Sequence, residues 1–260
     1  MNSSDHPPQA AQDPAAPEKA EQSSSASHTD NLQQAGSVLR LLYRSANCIA
    51  LYKPAGVNFH SEDGQPGFVV QATQQLQQPL WPVHRLDKVT SGIVLFATSS
   101  AAAADLSQQF ADHQIEKRYL AISRQKPRKK QGLIIGDMTK SRNGSWKLLR
   151  SRDNPAITRF FSHYDDTMSQ RLFLLAPQTG RTHQLRVAMK SLSAPILGDT
   201  RYGGEPADRT YLHAYAIRFR DQDTAIELLA EPEEPQWGQR PTQWCSTTRV
   251  FAARVFAAKD

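Results

Sequence analysis

Cysteine is nearly missing from the chain: two in 260 residues, Cys48 and Cys245, far apart and in no metal-ligand spacing. That excludes a disulfide framework and a thiolate metal centre, and it predicts a reducing compartment, with the cytoplasm as the default. No apolar run approaches the length that crosses a bilayer. The opening residues, MNSSDHPPQAAQDPAAPEK, lack the charged-then-apolar order of a secretory signal. There is no Gly-rich nucleotide loop and no His/Cys cluster. No cofactor, no metal and no membrane are therefore expected.

What is present is an ordinary globular composition, 39% hydrophobic and 22% charged, with a net charge of +6. The charge is unevenly spread. Between Lys117 and Arg159 there are thirteen Lys and Arg against two acids, Asp137 and Asp153. A concentrated basic stretch is the footprint of a protein that neutralises phosphates. A solvated surface carries such runs too, and charge alone does not separate the two.

Residues 1–36 are rich in Ser, Ala, Gln and Pro with few large apolar side chains, which predicts a disordered leader. Residues 37–230 carry the folded core. Residues 231–260 change character, with three prolines and two tryptophans, and read as a tail of no assigned role. Within the core, VLRLLYRS, CIALYKP, Ile93–Ala97, RYLAIS, GLIIGDM (132–138), ITRFFSHY, RLFLLAP, YLHAYAIRFR and AIELLA read as strands. Helices are expected at FVVQATQQL, at AAAADLSQQFADH capped by Ser99 or Ser100, and at THQLRVAMKSL (182–192) capped by Thr182. Strands outnumber helices and come in runs. The pattern predicts an α+β fold around a central mixed, largely antiparallel sheet flanked by helices.

Three clusters could carry chemistry. Asp87 sits among His84, Arg85, Lys88, Thr90 and Ser91, in a polar loop leading into a buried strand. Cationic neighbours favour an ionised carboxylate, which suits a nucleophile or base. An isolated HRLD is more often a loop salt bridge. In QTGRTHQLR (178–186), His183 and Arg186 lie three apart on one helical face. That fits an anion site, although a basic solvent face fits as well. Tyr119 is a strand tyrosine among basic residues and says little by itself.

Together the clusters say more. YKPAGV (52–57), HRLDKVTSG (84–92), EKRYLAI (116–122), TGRTHQLRV (179–187) and PILGDTRYGG (195–204) follow one another in an order that resembles the RluA-type RNA pseudouridine synthase family. The resemblance runs from about residue 43 to 220. It implies an α+β catalytic domain with its site in a cleft along the sheet, no cofactor, and structured RNA, rRNA or tRNA, as partner of a monomer. By motif, Asp87 matches the catalytic aspartate. Tyr119 matches the tyrosine whose ring lies against the target base and whose hydroxyl helps remove a proton from C5. Arg186 matches the basic residue that pairs with the aspartate. The resemblance further implies that Arg85 and Thr90 shape the catalytic loop and that Arg181, His183 and Gln184 help form the cleft. Many members read HQLRVH and then Gly-His before PILGD. Here Ala188 and Ser193–Ala194 stand instead, departures that bear on target choice rather than on activity.

The chemistry is consistent with those residues. Turning uridine into pseudouridine breaks the base–ribose bond, rotates the uracil and rebonds it through C5. The uridine must leave its stack, and an aromatic ring can replace a lost neighbour. A carboxylate stabilises, or adds to, the electron-poor anomeric carbon. Two other readings use the same residues: an RNA-binding or remodelling factor without catalysis, and a glycosidase-like hydrolase. The second lacks an evident second acid in the motif blocks.

Overall fold

The structure is a computed structural model that describes residues 39–252. The expected leader, residues 1–36, lies outside the described residues. In chain order the elements are β1 (Leu41–Arg44), β2 (Cys48–Lys53), α1 (Phe68–Leu76), β3 (Trp81–Pro82), β4 (Ser91–Ala97), α2 (Ser100–Ala111) and β5 (Glu116–Ser123). They continue with β6 (Gln131–Gly136), β7 (Met138–Lys140), β8 (Trp146–Leu148), β9 (Ala156–Asp165), β10 (Gln170–Pro177) and α3 (Gln184–Ser191). β11 (Leu212–Asp221), β12 (Thr224–Leu229) and the single turn α4 (Thr247–Val250) complete the set.

Ten strands form one sheet, ordered β1-β2-β4-β11-β5-β10-β9-β6, with β12 on β11 and β3 on β4. Every pairing in it is antiparallel except β4 with β11. This is the mixed, largely antiparallel sheet of an α+β fold. The parallel contact is short, His213 against Ser91 and Ala214 against Gly92. Gly92 is required there: its φ is +109°, and a Cβ would lie 2.2 Å from the Ala214 carbonyl oxygen. The loop before β4 is thus pinned against the middle of the sheet.

Apolar residues of the strands face packing on both sides. α3 lays Leu185, Ala188 and Met189, with Leu192 just past its end, on Ala121, Phe160, Phe173 and Leu175. α1 covers Ile49, Leu51, Val94 and Phe96 with Phe68 and Ala72. α2 starts where a Ser99 hydroxyl accepts from the Ala102 N–H at 3.2 Å. Each fully buried Leu, Ile or Phe contributes about 1.5–3 kcal/mol, which is how such a sheet holds its loops still.

Three expectations change, and one alternative, the solvent face for Arg186, falls away. The run GLIIGDM is two strands, because Asp137 turns the chain out of the sheet by accepting from the Asn154 and Asp153 amides at 2.9 and 3.1 Å. β7 and β8 then form a separate two-stranded hairpin. Thr182 does not cap α3. The position before the helix is His183, at φ 57°, with no side-chain cap. Arg186 is not on a solvent face but buried, 6% exposed. Finally, residue 230 is no boundary in packing: Trp237, Trp244, Val250 and Phe251 are buried against Leu120, Ile122, Leu172, Leu174 and Tyr215.

Candidate active site

The loop that carries Asp87 is built from the inside. Leu86 is buried in the core, 4% exposed. The His84 Nε2 accepts from the Leu95 N–H at 2.9 Å, and the Thr90 N–H donates to the Asp87 carbonyl at 3.0 Å. Lys53 supplies a clamp that was not anticipated. Its ammonium, wholly buried, donates to the carbonyls of Pro54, Thr90 and Lys88 at 2.7, 3.0 and 3.3 Å. The Gly56 N–H adds 2.8 Å to the Lys88 carbonyl. Burial lowers the Lys53 pKa to about 7, with Arg209 adding to the effect and Asp87 opposing it. YKPAGV and HRLDKVTSG are therefore one structural unit. Gly, Pro and a buried lysine hold the loop while Arg85, Asp87 and Lys88 stay partly or fully exposed.

Asp87 opens onto a cavity of about 350 Å³, also lined by His84, Arg85, Thr90, Tyr119, Arg181, His183, Gln184 and Arg186. That volume lies within the range of small-molecule sites, about 300–1,000 Å³. All eight candidate residues from the sequence thus converge on one cavity. The Arg186 Nη1 lies 3.7 Å from the Asp87 Oδ2, with the aspartate side chain 22% exposed. Tyr119 enters from β5. Burial first, and Asp87 second, push its phenol well above the ordinary tyrosine range, so it stays protonated near neutral pH.

Arg186 has a closer partner than Asp87. Its Nε and Nη2 donate to the two Asp199 carboxylate oxygens at 2.8 and 2.7 Å. The Asp199 side chain is 1% exposed. Burial by itself would lower the Arg186 pKa, but the Asp199 bonds and charge, with Asp87 behind them, leave it raised. The Tyr202 ring lies under the guanidinium, 4.9 Å from its carbon. Tyr202 also hydrogen-bonds the His183 Nδ1 at 2.7 Å and accepts from the Trp146 N–H at 3.0 Å. It thereby ties the cleft to the β7–β8 hairpin. Sequence reading missed Asp199 and Tyr202, although both stand in the quoted block PILGDTRYGG.

Gln184 lines the cavity, but its amide is fully used. Its Oε1 accepts from the Thr179 hydroxyl and the Arg181 N–H at 2.8 and 2.9 Å. Its Nε2 donates to the Ile157 carbonyl and the Thr158 hydroxyl at 3.0 and 2.9 Å. It fixes the turn before α3 and has no bond left for a ligand. Ala188 and Ala194 are buried, 3% and 0% exposed. The departures at these two positions fill the core.

A mixed sheet thus carries a carboxylate, an arginine and a half-buried tyrosine on one cleft, and the comparisons with known proteins give the family. Residues 47–191 match the family described as RNA pseudouridylate synthase. The chain belongs to the RNA pseudouridine synthase family, whose members are isomerases. It is 46% identical over 224 residues to an uncharacterized RNA pseudouridine synthase of Haemophilus influenzae, covering 85% of this chain and 99% of that one. It is 34% identical to tRNA pseudouridine synthase C of Haemophilus ducreyi, over 76% of this chain and 93% of that one. It is 33% identical to the ribosomal large subunit pseudouridine synthase C of Rickettsia bellii, over 77% and 70%. The solved structure of human RNA pseudouridylate synthase domain containing 1 shares the fold. Its TM-score is 0.68 at 22% identity, over 83% of this chain and 96% of that one.

Proposed function

We propose that this protein isomerises specific uridines of tRNA or rRNA to pseudouridine, with Asp87 as the catalytic group. The observation that supports it is the convergence of Asp87, Tyr119 and Arg186 on one cavity, with the carboxylate 3.7 Å from the guanidinium. In this reading the target uridine swings out of its helix into the cleft. The Tyr119 ring replaces a stacking partner. Burial holds its phenol protonated near neutral pH, so its hydroxyl meets the base as a hydrogen-bonding group. Asp87 brings negative charge to the reacting nucleoside as the C1′–N1 bond breaks and the C1′–C5 bond forms. The proton lost from C5 is balanced by one gained at N1. Arg186, 3.7 Å away, aims Asp87.

Eleven of the thirteen basic residues between Lys117 and Arg159 are exposed, all but Lys117 and Arg118. In this reading they grip the phosphate backbone, which positions an RNA without reading its sequence. The tRNA and rRNA names of the relatives support this class of substrate. A hydrolase is disfavoured because the second carboxylate near the site, Asp199, has both oxygens bound to Arg186. The test is incubation with RNA from a strain lacking this protein, followed by nucleoside mass spectrometry. New pseudouridine without free uracil is the expected result. Released uracil, or no new pseudouridine in any tRNA or rRNA, overturns the proposal.

A further inference from the structure

Among the described residues, Lys117 lies in the cleft without a counter-charge. It stands two residues before Tyr119 on β5, and both side chains line the cavity. The alternate residues Glu116 and Arg118 pair with each other at 2.8 Å, and Arg118 lies over the Phe251 ring. No carboxylate among the described residues pairs with Lys117. Its ammonium has the Phe110 ring, 5.4 Å away. Burial lowers its pKa to about 8. A cation taken from water without an anion is costly, and a ring face offsets only part of that.

A second donor stands beside the same ring. The His84 imidazole lies 4.9 Å from Phe110, centroid to centroid. Its Nε2 accepts from the Leu95 N–H, so in the neutral ring the proton is on Nδ1. Burial drives the His84 pKa down to about 3, with Lys117 adding to the effect, so the ring stays neutral. No acceptor among the described residues takes that Nδ1–H. One wall of the cavity thus presents an unpaired cation and an unpaired neutral donor. A uracil carbonyl would satisfy the donors but leave the charge. A phosphate oxygen satisfies both.

We propose that Lys117 and His84, together with the Phe110 ring, form a subsite for one phosphodiester of the RNA strand beside the extruded uridine. It rests on reading the cleft as a nucleotide site. Unlike the exposed basic residues, Lys117 makes its contact inside the cleft, where water and salt screen least. The contact fixes the path of the strand relative to Asp87. Holding the strand is a binding task, so its loss shows mainly in KM.

The experiment uses the full chain and unmodified tRNA and rRNA from a strain lacking it. Lys117→Met is expected to raise KM about tenfold while kcat falls far less, and Lys117→Arg to restore most of the affinity. The slope of log affinity against log salt should shrink by about 0.7–0.9, the value of one phosphate contact. An unchanged slope would point to packing on Phe110 and overturn the subsite. Should Lys117→Met fail to fold, lysine acylation of the unaltered protein decides. Lys117 should be shielded about tenfold by RNA, and equal labelling with and without RNA overturns it. The binding arms are repeated in Asp87→Asn protein. They judge the subsite even if the isomerase reading fails, and an active enzyme with normal Lys117→Met binding would sink the subsite alone.

Discussion

Arg186 stands between two aspartates, gripping Asp199 through two hydrogen bonds of 2.8 and 2.7 Å and reaching Asp87 at 3.7 Å. The short pair is structural and the long one faces the cavity. Asp199 acts on Asp87 only through the guanidinium, so it is a positioning residue. Asp199→Ala leaves Arg186 buried without its partner, and such losses cost about 3–5 kcal/mol. Urea unfolding should show that loss of stability. At a temperature where the variant is still folded, kcat should fall while RNA affinity holds. Wild-type stability would remove Asp199 from the account.

The tail after β12 behaves as core. The Trp237 side chain is 1% exposed, packs on Tyr211 at 5.6 Å, centroid to centroid, and donates its indole N–H to Glu234 at 2.9 Å. Trp237→Ala should cost about 3–5 kcal/mol, measured by urea or thermal unfolding, although the residue is absent from the cleft lining. A variant as stable as the parent would mean that the segment merely rests on the sheet.

The same tail is joined to the catalytic loop through a buried histidine. The His213 Nε2 meets the Ala230 carbonyl at 2.8 Å, and its Nδ1 meets the Ser91 hydroxyl at 2.7 Å. Burial drives the His213 pKa from 6.5 down to about 4. Below pH 6.5 the unfolded chain binds the proton and the folded one does not, so stability is complete above 6.5 and drains as pH falls toward 4. At about 1.36 kcal/mol per pKa unit the loss is on the order of 3 kcal/mol. Unfolding midpoints should drop between pH 6.5 and 4 more steeply in the parent than in His213→Asn. Parallel curves would contradict the assignment.

Much of this was legible in the sequence because it is local. The runs at 118–123, 157–164 and 171–177 appear as β5, β9 and β10, each slightly longer, and Ser99 caps α2 as its chemistry suggests. The blocks around Asp87, Tyr119 and Arg186 pointed to one site before any geometry was known. What escaped depends on contacts between distant segments. The carboxylate closest to Arg186 is thirteen residues further on, beyond the end of α3. Lys53 reads as an ordinary strand lysine until its three carbonyl acceptors converge on it. Gln184 reads as a polar helix residue until both ends of its amide prove occupied. Two tryptophans in a proline-rich tail carry no periodicity, so only the sheet they cover reveals their role.

The central claim is that the Asp87 carboxylate does the chemistry while other groups hold the RNA. Asp87→Asn keeps the size of the side chain and removes its charge. The most direct measurement is single-turnover formation of pseudouridine by this variant beside the parent, with RNA affinity measured on the same preparations. The account predicts no detectable product and an affinity within a few-fold of the parent. Product at the parent's rate would contradict it.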